Sequence, residues 1–444
     1  MVSAGQSHRP PIKCYIFAWL LFGNKAEFKR FKAQTLNKKK IINDPVYGFI
    51  TIRSGLIFDI IQHPYFQRLR RIKQMGLSEL VYPGAHHTRF HHALGAMHLM
   101  STTLENLRTK GVYVLDVEHE AAVIAILLHD IGHGPFSHAL EYSLLKDVPH
   151  EHLSRIIMSR LNKEFNGQLT LALQVFNGTY PKAYLHQLVS SQLDIDRLDY
   201  LKRDSFFTGV LEGTIGADRI IKMLNVHEDQ LVVEEKGIYS IENFLSARRL
   251  MYWQVYLHKA GVSAEKMLVA IIKRARKLTQ KGQSVFLSDN LRPFFENEIG
   301  IEQFAEDPAI LETFLELDDY DIWGAIKIWS KHDDFVLSKL CNMLLNRQLF
   351  KIDITTEPVT KEEKNEKLEK IASQYNISLK DARYLYSAGQ LTNNAYQATD
   401  QKIMILGKNG EVRDVVEAAD LPNIKAMSKI VRKYYRCWPK DLSL

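Results

Sequence analysis

The stretch Leu127-Leu128-His129-Asp130-Ile131-Gly132-His133-Gly134-Pro135-Phe136-Ser137-His138 constrains this chain more than any other. An apolar run from Ala121 to Leu128 reads as a helix that delivers a His-Asp pair at its end. His129 and His133, four residues apart, share a helical face, and Asp130 beside them adds a carboxylate oxygen to the imidazole nitrogens. A mixed nitrogen and oxygen set suits manganese, iron or zinc, whereas calcium takes oxygen alone. Gly132, Gly134 and Pro135 then end the helix and leave a thin backbone that a substrate can approach. A lone His-Asp pair reads more simply as a helix terminus with a capping histidine. This one has company: eleven of the 17 histidines fall between His86 and His152.

A metal cage among helices needs further ligands from other helices. Arg89-Phe90-His91-His92 offers two adjacent histidines, of which one faces the site, because consecutive helical residues diverge by about 100°. The run Asp194-Ile195-Asp196-Arg197-Leu198-Asp199-Tyr200 adds three carboxylates, and Asp196 and Asp199 share a face with Tyr200 close by. Each fragment alone is an ordinary cap or surface aspartate. Their recurrence in order, with helical spacing, points to a metal centre.

The rest of the chain bounds the setting. A length of 444 residues accommodates two or three domains. We expect a loosely attached extension over 1–39, a helical unit over 40–345 and a smaller α+β unit over 346–444. Strands are expected at Phe49–Ile52, Leu231–Val233 with Ile238–Ser240, Leu349–Thr355, and Ile403–Leu406 with Glu411–Val416. Short helices are expected over Gly55–Ile61 and over the basic stretch Gln67–Gly76, and a final basic helix over Ala426–Arg436. Cys14, Cys341 and Cys437 lie far apart without a CxxC pair, which excludes a disulfide framework and a thiolate zinc site and fits a reducing, cytoplasmic setting. No apolar run reaches the roughly 18 residues of a membrane span. The net charge of +7 is a mild pull toward polyanions such as nucleotides or single-stranded nucleic acid.

Arg-Phe-x-His, His-Asp-x-Gly-His-Gly-Pro-Phe-Ser-His, His-Glu and Asp-x-Asp-x-x-Asp-Tyr, in that order from about Asn43 to Lys259, resemble the HD-domain superfamily. Within it the chain resembles the deoxynucleoside triphosphate (dNTP) triphosphohydrolases, both the bacterial dGTPase-like enzymes and the vertebrate protein that joins a SAM domain to an HD domain. The resemblance implies a mainly α fold, a helical bundle with a metal site in its core. It implies metal ligation by His92, His129, Asp130 and Asp196, with His91 facing outward. It also implies phosphate-facing and proton-transferring roles for His133, His138 and His150, with Glu151 orienting His150. Arg89, Arg197 and Arg248 would meet the triphosphate, and Gln74, Tyr200, Asp204 and Tyr256 would line the sugar and base pocket, Tyr256 excluding a 2′-hydroxyl. Asn43, Gln67 and Arg70 fall on positions of a regulatory nucleotide site at subunit interfaces. Gln62 and Tyr252 depart from the vertebrate pattern.

The reaction so implied yields a deoxynucleoside and inorganic triphosphate. It uses a divalent transition metal in the cage and additional magnesium on the triphosphate, in a homo-oligomer (dimer or tetramer) with an activating nucleotide. Ser154 stands where a second histidine would complete HExxH, so the zinc-protease pattern fails. Two other readings share these residues. One is a different HD phosphohydrolase, a nucleotidase or phosphodiesterase. The other is a nucleic-acid-binding or nucleotide-sensing regulator, motivated by Lys425, Lys429, Arg432, Lys433 and Arg436.

Overall fold

The apolar run ending at Leu128 is buried on every side, which only a helix at the centre of a bundle sustains. A computed structural model describes residues 40–145, 147–393, 402–420 and 431–442, with the side chains at 137, 138, 141, 142 and 393 outside that description. Strands β1 (Lys40–Asp44) and β2 (Gly48–Ile52) form an antiparallel hairpin, followed by helix α1 (Gly55–Gln62), capped by Ser54. The bundle itself is built on α2 (Arg89–Thr109), α3 (Asp116–Leu128), α4 (Ser137–Leu144), α5 (His150–Glu164) and α6 (Ile195–Thr208). α3 and α6 both pack on α2, so residues at their ends converge on its first turns. Among the described residues no helix is long and apolar enough to cross a membrane.

Downstream, α7 (Ile238–Met251) runs into a π-helical turn at Tyr252–Tyr256, and the long α8 (Lys259–Gln280) follows. α9 (Asp319–Trp329) and α10 (Phe335–Leu345) lead into strand β3 (Lys351–Thr355) and helix α11 (Lys361–Tyr375). Two small sheets complete the fold. One pairs β3 and Ser387–Asn393 on either side of Val431–Trp438. The other pairs Leu224–His227 with Gln230–Glu234, then runs in parallel to Met404–Leu406 and back through Val412–Asp414. This second sheet takes two strands from each side of residue 346, so the C-terminal part is stitched into the helical part.

A buried arginine with two partly exposed carboxylates reinforces that junction. Arg274 on α8 makes a two-pronged contact with Asp334, Nε at 3.0 Å and Nη2 at 2.6 Å, and Nη1 reaches Asp381 at 2.5 Å. Removing the arginine leaves two carboxylates unmatched, though water can reach both. Arg274→Ala is therefore expected to lower unfolding stability by about 2 kcal/mol, read as a lower urea midpoint at unchanged slope. A midpoint equal to that of the parent protein would contradict the role given to this cluster.

Three expectations need correction. Ile238–Ser240 is the start of α7 rather than a strand, and the partner of Gln230–Glu234 is Leu224–His227. The turn between them places Glu228 and Asp229 at φ 48° and 57°, a two-residue hairpin turn achieved without glycine. Gln67–Gly76 is not one helix. A turn at Pro64–Gln67 and a 3-10 segment at Arg68–Arg71 give way to extended Ile72, because 72–74 pairs with 87–89 through Gln74 N–H to His87 O at 3.0 Å and Arg89 N–H to Ile72 O at 3.0 Å. The expected final helix is, from Val431, the central strand of its sheet. The β-branched and aromatic residues Val431, Tyr434, Tyr435 and Trp438 suit a pleated surface, and 426–430 lie outside the described residues, as do 1–39. In that strand Arg436 pairs with Glu363 at 3.2 Å and Lys433 stacks on Trp253 at 4.0 Å, so these cations are engaged within the fold.

Candidate metal centre

Three helix ends meet at the site. α2 starts behind Thr88 and brings Arg89 and His92 inward, while His91 turns back so that its Nδ1 accepts the Thr88 N–H at 3.1 Å. α3 closes at Leu128 and leaves His129 and Asp130 at its C-terminus. α6 begins behind Asp194, whose carboxylate accepts the Arg197 N–H at 2.8 Å, and presents Asp196 in its first turn.

The four residues expected as ligands come together. His92 Nε2 lies 3.1 Å from Asp196 Oδ1, 3.4 Å from His129 Nε2 and 3.8 Å from Asp130 Oδ2. His129 Nε2 lies 3.4 Å from Asp196 Oδ1 and 3.3 Å from Asp130 Oδ1. A cation that holds such donors at about 2.1 Å keeps neighbouring ones roughly 3.0–3.4 Å apart, so this spacing suits a single ion. The ring protons are placed to match. His92 Nδ1 is 2.7 Å from Asp199 Oδ2, and an ionised carboxylate only accepts, so Nδ1 carries the hydrogen and Nε2 turns its lone pair to the cluster. His129 is set the same way by the Ile126 carbonyl, 2.6 Å from its Nδ1.

The electrostatics agree. Burial alone would lower the pKa of His92, but hydrogen bonds to Asp196 and Asp199 outweigh it and carry it up to about 10. Burial is likewise overcome at His129, which Asp130 pushes up. Burial would raise Asp130 and Asp196, yet the His129 imidazole holds both carboxyls well below the usual range. The donors thus attract positive charge strongly enough to retain a proton where a cation fits.

On the other side of Asp130 lie His133 and His150. His133 Nε2 is 3.2 Å from Asp130 Oδ1, and its ring stacks on His150 at 3.7 Å between centroids. Burial and then the Arg89 guanidinium drive the pKa of His133 well below its ordinary value, so this imidazole is neutral near pH 7. Arg89 Nη1 donates to Asp130 Oδ2 at 2.5 Å. Glu151 Oε1 is 3.5 Å from His150 Nε2. His138 is the second residue of α4, and its side chain lies outside the described residues.

A hydrogen-bonded aromatic and carboxylate cluster adjoins this centre. Tyr200 stands one helical turn after Asp196, with its ring edge-on to Tyr256 at 6.2 Å. Tyr256 donates its hydroxyl to Asp204 Oδ2 at 2.7 Å, and His87 Nε2 lies 2.7 Å from the other oxygen of Asp204. Gln74 Oε1 is buried with no partner among the described residues. Arg197 pairs with Asp194, and Arg248 Nη1 donates to Gln192 Oε1 at 3.2 Å. The three residues expected at a regulatory site lie elsewhere. Asn43 is exposed on β1, while Gln67 Oε1 accepts from Arg70 Nε at 2.8 Å and Arg70 stacks on Phe90 at 3.6 Å.

Four contributors were given no role by the family resemblance: His87, Asp199, Arg203 and Gly95. Asp199 stood in the carboxylate run and His87 in the histidine-rich stretch, which were usable signals. Arg203 and its partner Asp44, 2.8 Å apart, are separated by most of the bundle in sequence and left none.

Comparison with known proteins agrees with this geometry. The HD domain family matches residues 89–204, and the HD associated region matches 215–289. The chain is 32% identical to the protein YwfO of Bacillus subtilis, over 92% of this chain and 94% of that one. It is 31% identical to the deoxynucleoside triphosphate triphosphohydrolase SAMHD1 homolog of Dictyostelium discoideum, covering 57% of this chain and about half, 51%, of that one. A crystal structure of a phosphohydrolase from Bacteroides thetaiotaomicron superposes with a TM-score of 0.88 at 53% identity, covering 91% of this chain and all of that one. The chain belongs to the HD-domain superfamily, as a phosphohydrolase related to the SAMHD1-like dNTPases.

Proposed function

We propose that the protein hydrolyses dNTPs to a deoxynucleoside and inorganic triphosphate. The observation that carries this reading is the junction at α6, where Asp196 of the metal centre and Tyr200 of the adjoining cluster lie one turn apart, next to the Tyr256–Asp204 pair. A phosphate at the centre would then have its sugar against Tyr200 and Tyr256. His92, His129, Asp130 and Asp196 would hold manganese, iron or zinc, and the cation would supply Lewis acidity and charge neutralisation at the α-phosphate.

The chain's own groups do the rest. Arg89, Arg197 and Arg248 offer guanidinium donors to the triphosphate, which additional magnesium would accompany. Neutral His133 would face the phosphate, its single N–H held toward Asp130 Oδ1. His150, oriented by Glu151, and His138 are the candidates for delivering a proton to the departing 5′ oxygen. Gln74 reads the sugar edge through its buried carbonyl oxygen. Asn43, Gln67 and Arg70 are the candidates for an activating nucleotide site between subunits of a homo-oligomer.

The test is incubation of each dNTP, singly and in pairs, with Mn²⁺ and Mg²⁺. Deoxynucleoside release is expected, and release only from pairs would reveal the activating site. Absence of release from every mixture would overturn the proposal, and orthophosphate as the product would assign the site to another HD reaction. Tyr256→Ala is expected to cut the preference for deoxyribo- over ribonucleotides by on the order of 10- to 100-fold, because the ring that would exclude the 2′-hydroxyl is gone. An unchanged ratio of kcat/KM values for dNTP and NTP would remove Tyr256 from that role.

A further inference from the structure

Two side chains from outside the matched family segments hold the His-Asp turn by its backbone. Asp319, the first residue of α9, is 2% exposed. Its Oδ1 accepts the Phe136 N–H at 3.0 Å, and its Oδ2 accepts the Lys73 N–H at 2.9 Å. Arg68 is wholly buried; its Nη2 donates to the His133 carbonyl at 2.8 Å and its Nε to the Leu317 carbonyl at 2.8 Å. The short 317–319 stretch is therefore bound to the turn both directly and through Arg68.

What Asp319 holds is unusual backbone. Phe136 sits at φ 48°, the left-handed region that a residue with a Cβ adopts only at a cost. The Asp319 oxygen on its N–H and the Trp323 ring, edge-on to the Phe136 ring at 5.9 Å, keep it there. Asp319 and Trp323 are one turn apart, so a single face of α9 makes both contacts. The other oxygen of Asp319 fixes Lys73, which precedes Gln74 and bridges to Thr88, the residue before α2. One carboxylate thus spans the end of the His-Asp turn and the backbone beside the pocket.

We propose that Asp319 is a positioning residue of the phosphohydrolase site, setting the distance between the His129–Phe136 turn and the Gln74 side of the pocket; this rests on the pocket reading given above. Asp319 touches none of the metal donors, so its removal should misplace the reacting groups without losing the ion.

Asp319→Asn in the full chain tests this. Asparagine keeps the shape and one acceptor oxygen, but its NH₂ faces a backbone N–H. Per metal-loaded molecule, kcat on the best dNTP should fall by on the order of 100-fold, the size of effect that a displacement of about 1 Å produces. KM should stay within about threefold, since the sugar contacts remain, and manganese stoichiometry should match the parent. Amide exchange read by mass spectrometry should be at least about tenfold faster in the peptides covering 72–75 and 131–137.

A merely structural role would lower the melting temperature and the folded fraction while leaving kcat per metal-loaded molecule unchanged. Unchanged kcat, or unchanged exchange in both peptides, overturns the proposal. If the parent protein hydrolyses no dNTP, the pocket reading fails, and exchange alone then decides for or against Asp319. If Asp319→Asn does not fold, Asp319→Glu, which carries both acceptors on a longer arm, is read by the same measurements, and parental kcat and exchange overturn the proposal. Should neither variant fold, a parental Phe136 amide that exchanges as fast as an unprotected one overturns it and a protected one supports it.

Discussion

Gly95→Ala is expected to weaken manganese binding by 10- to 100-fold, the typical effect of losing an outer-shell partner, and to lower unfolding stability by about 3–5 kcal/mol. Gly95 lies on α2, three residues after His92, where a Cβ would overlap Asp199 Oδ1 and Arg203 Nη2. Both groups are fully buried. Asp199 accepts from His92 at 2.7 Å and from Arg203 Nε at 2.9 Å, and Arg203 Nη1 reaches Asp44 at 2.8 Å. One added methyl therefore separates a buried ion pair and releases the carboxylate that fixes the His92 ring. Calorimetric titration of metal-free protein with Mn²⁺ and a urea melt check the two halves of the result. Parental affinity together with a parental midpoint would show that Asp199 can step aside freely, and the account of how His92 is held would fail.

Asp196→Ala is expected to separate stability from turnover. Asp196 Oδ1 lies within 3.4 Å of both imidazole Nε2 atoms, yet its side chain is 26% exposed at the mouth of the centre. Its removal opens no sealed core, so the fold should lose only about 1 kcal/mol. The metal-supplied stabilisation of the transition state is worth several kcal/mol, and turnover should therefore drop by on the order of 10³-fold or more, with metal content by mass spectrometry falling in step. Retained stoichiometry and retained rate would refute the ligand assignment.

The metal donors were legible because they depend on spacing along single helices. His129-Asp130 closes one apolar run, His92 follows Arg89 by three, and Asp196 opens the Asp-rich run, so a helical period and donor chemistry narrowed the candidates and the family resemblance singled out His92 and Asp196. The groups that hold the donors were not legible, because they come from remote segments. Asp44 to Arg203, His87 to Asp204 to Tyr256, and Phe136 to Asp319 are tertiary contacts with no local pattern. The misread elements have local physical causes. Glu228-Asp229 turns a hairpin with two positive φ values that glycine or asparagine usually signals. The stretch from Val431 carries enough Arg and Lys to suggest a solvated helix, whereas its aromatic and β-branched residues make it a central strand. Gln67–Gly76 has helical composition, but pairing of 72–74 with 87–89 outweighs local preference and sets Gln74 beside His87.

The measurement that bears most directly on the central claim is mass spectrometry of the products formed from a dNTP in ¹⁸O-labelled water with Mn²⁺. Attack of water on the α-phosphorus breaks its bond to the 5′ oxygen, leaving that oxygen on the sugar and placing the new one on the released phosphate chain. The account predicts unlabelled deoxynucleoside and intact triphosphate carrying one ¹⁸O. Label in orthophosphate beside a nucleoside diphosphate, or in pyrophosphate beside a monophosphate, would place the reacting phosphorus elsewhere and contradict it.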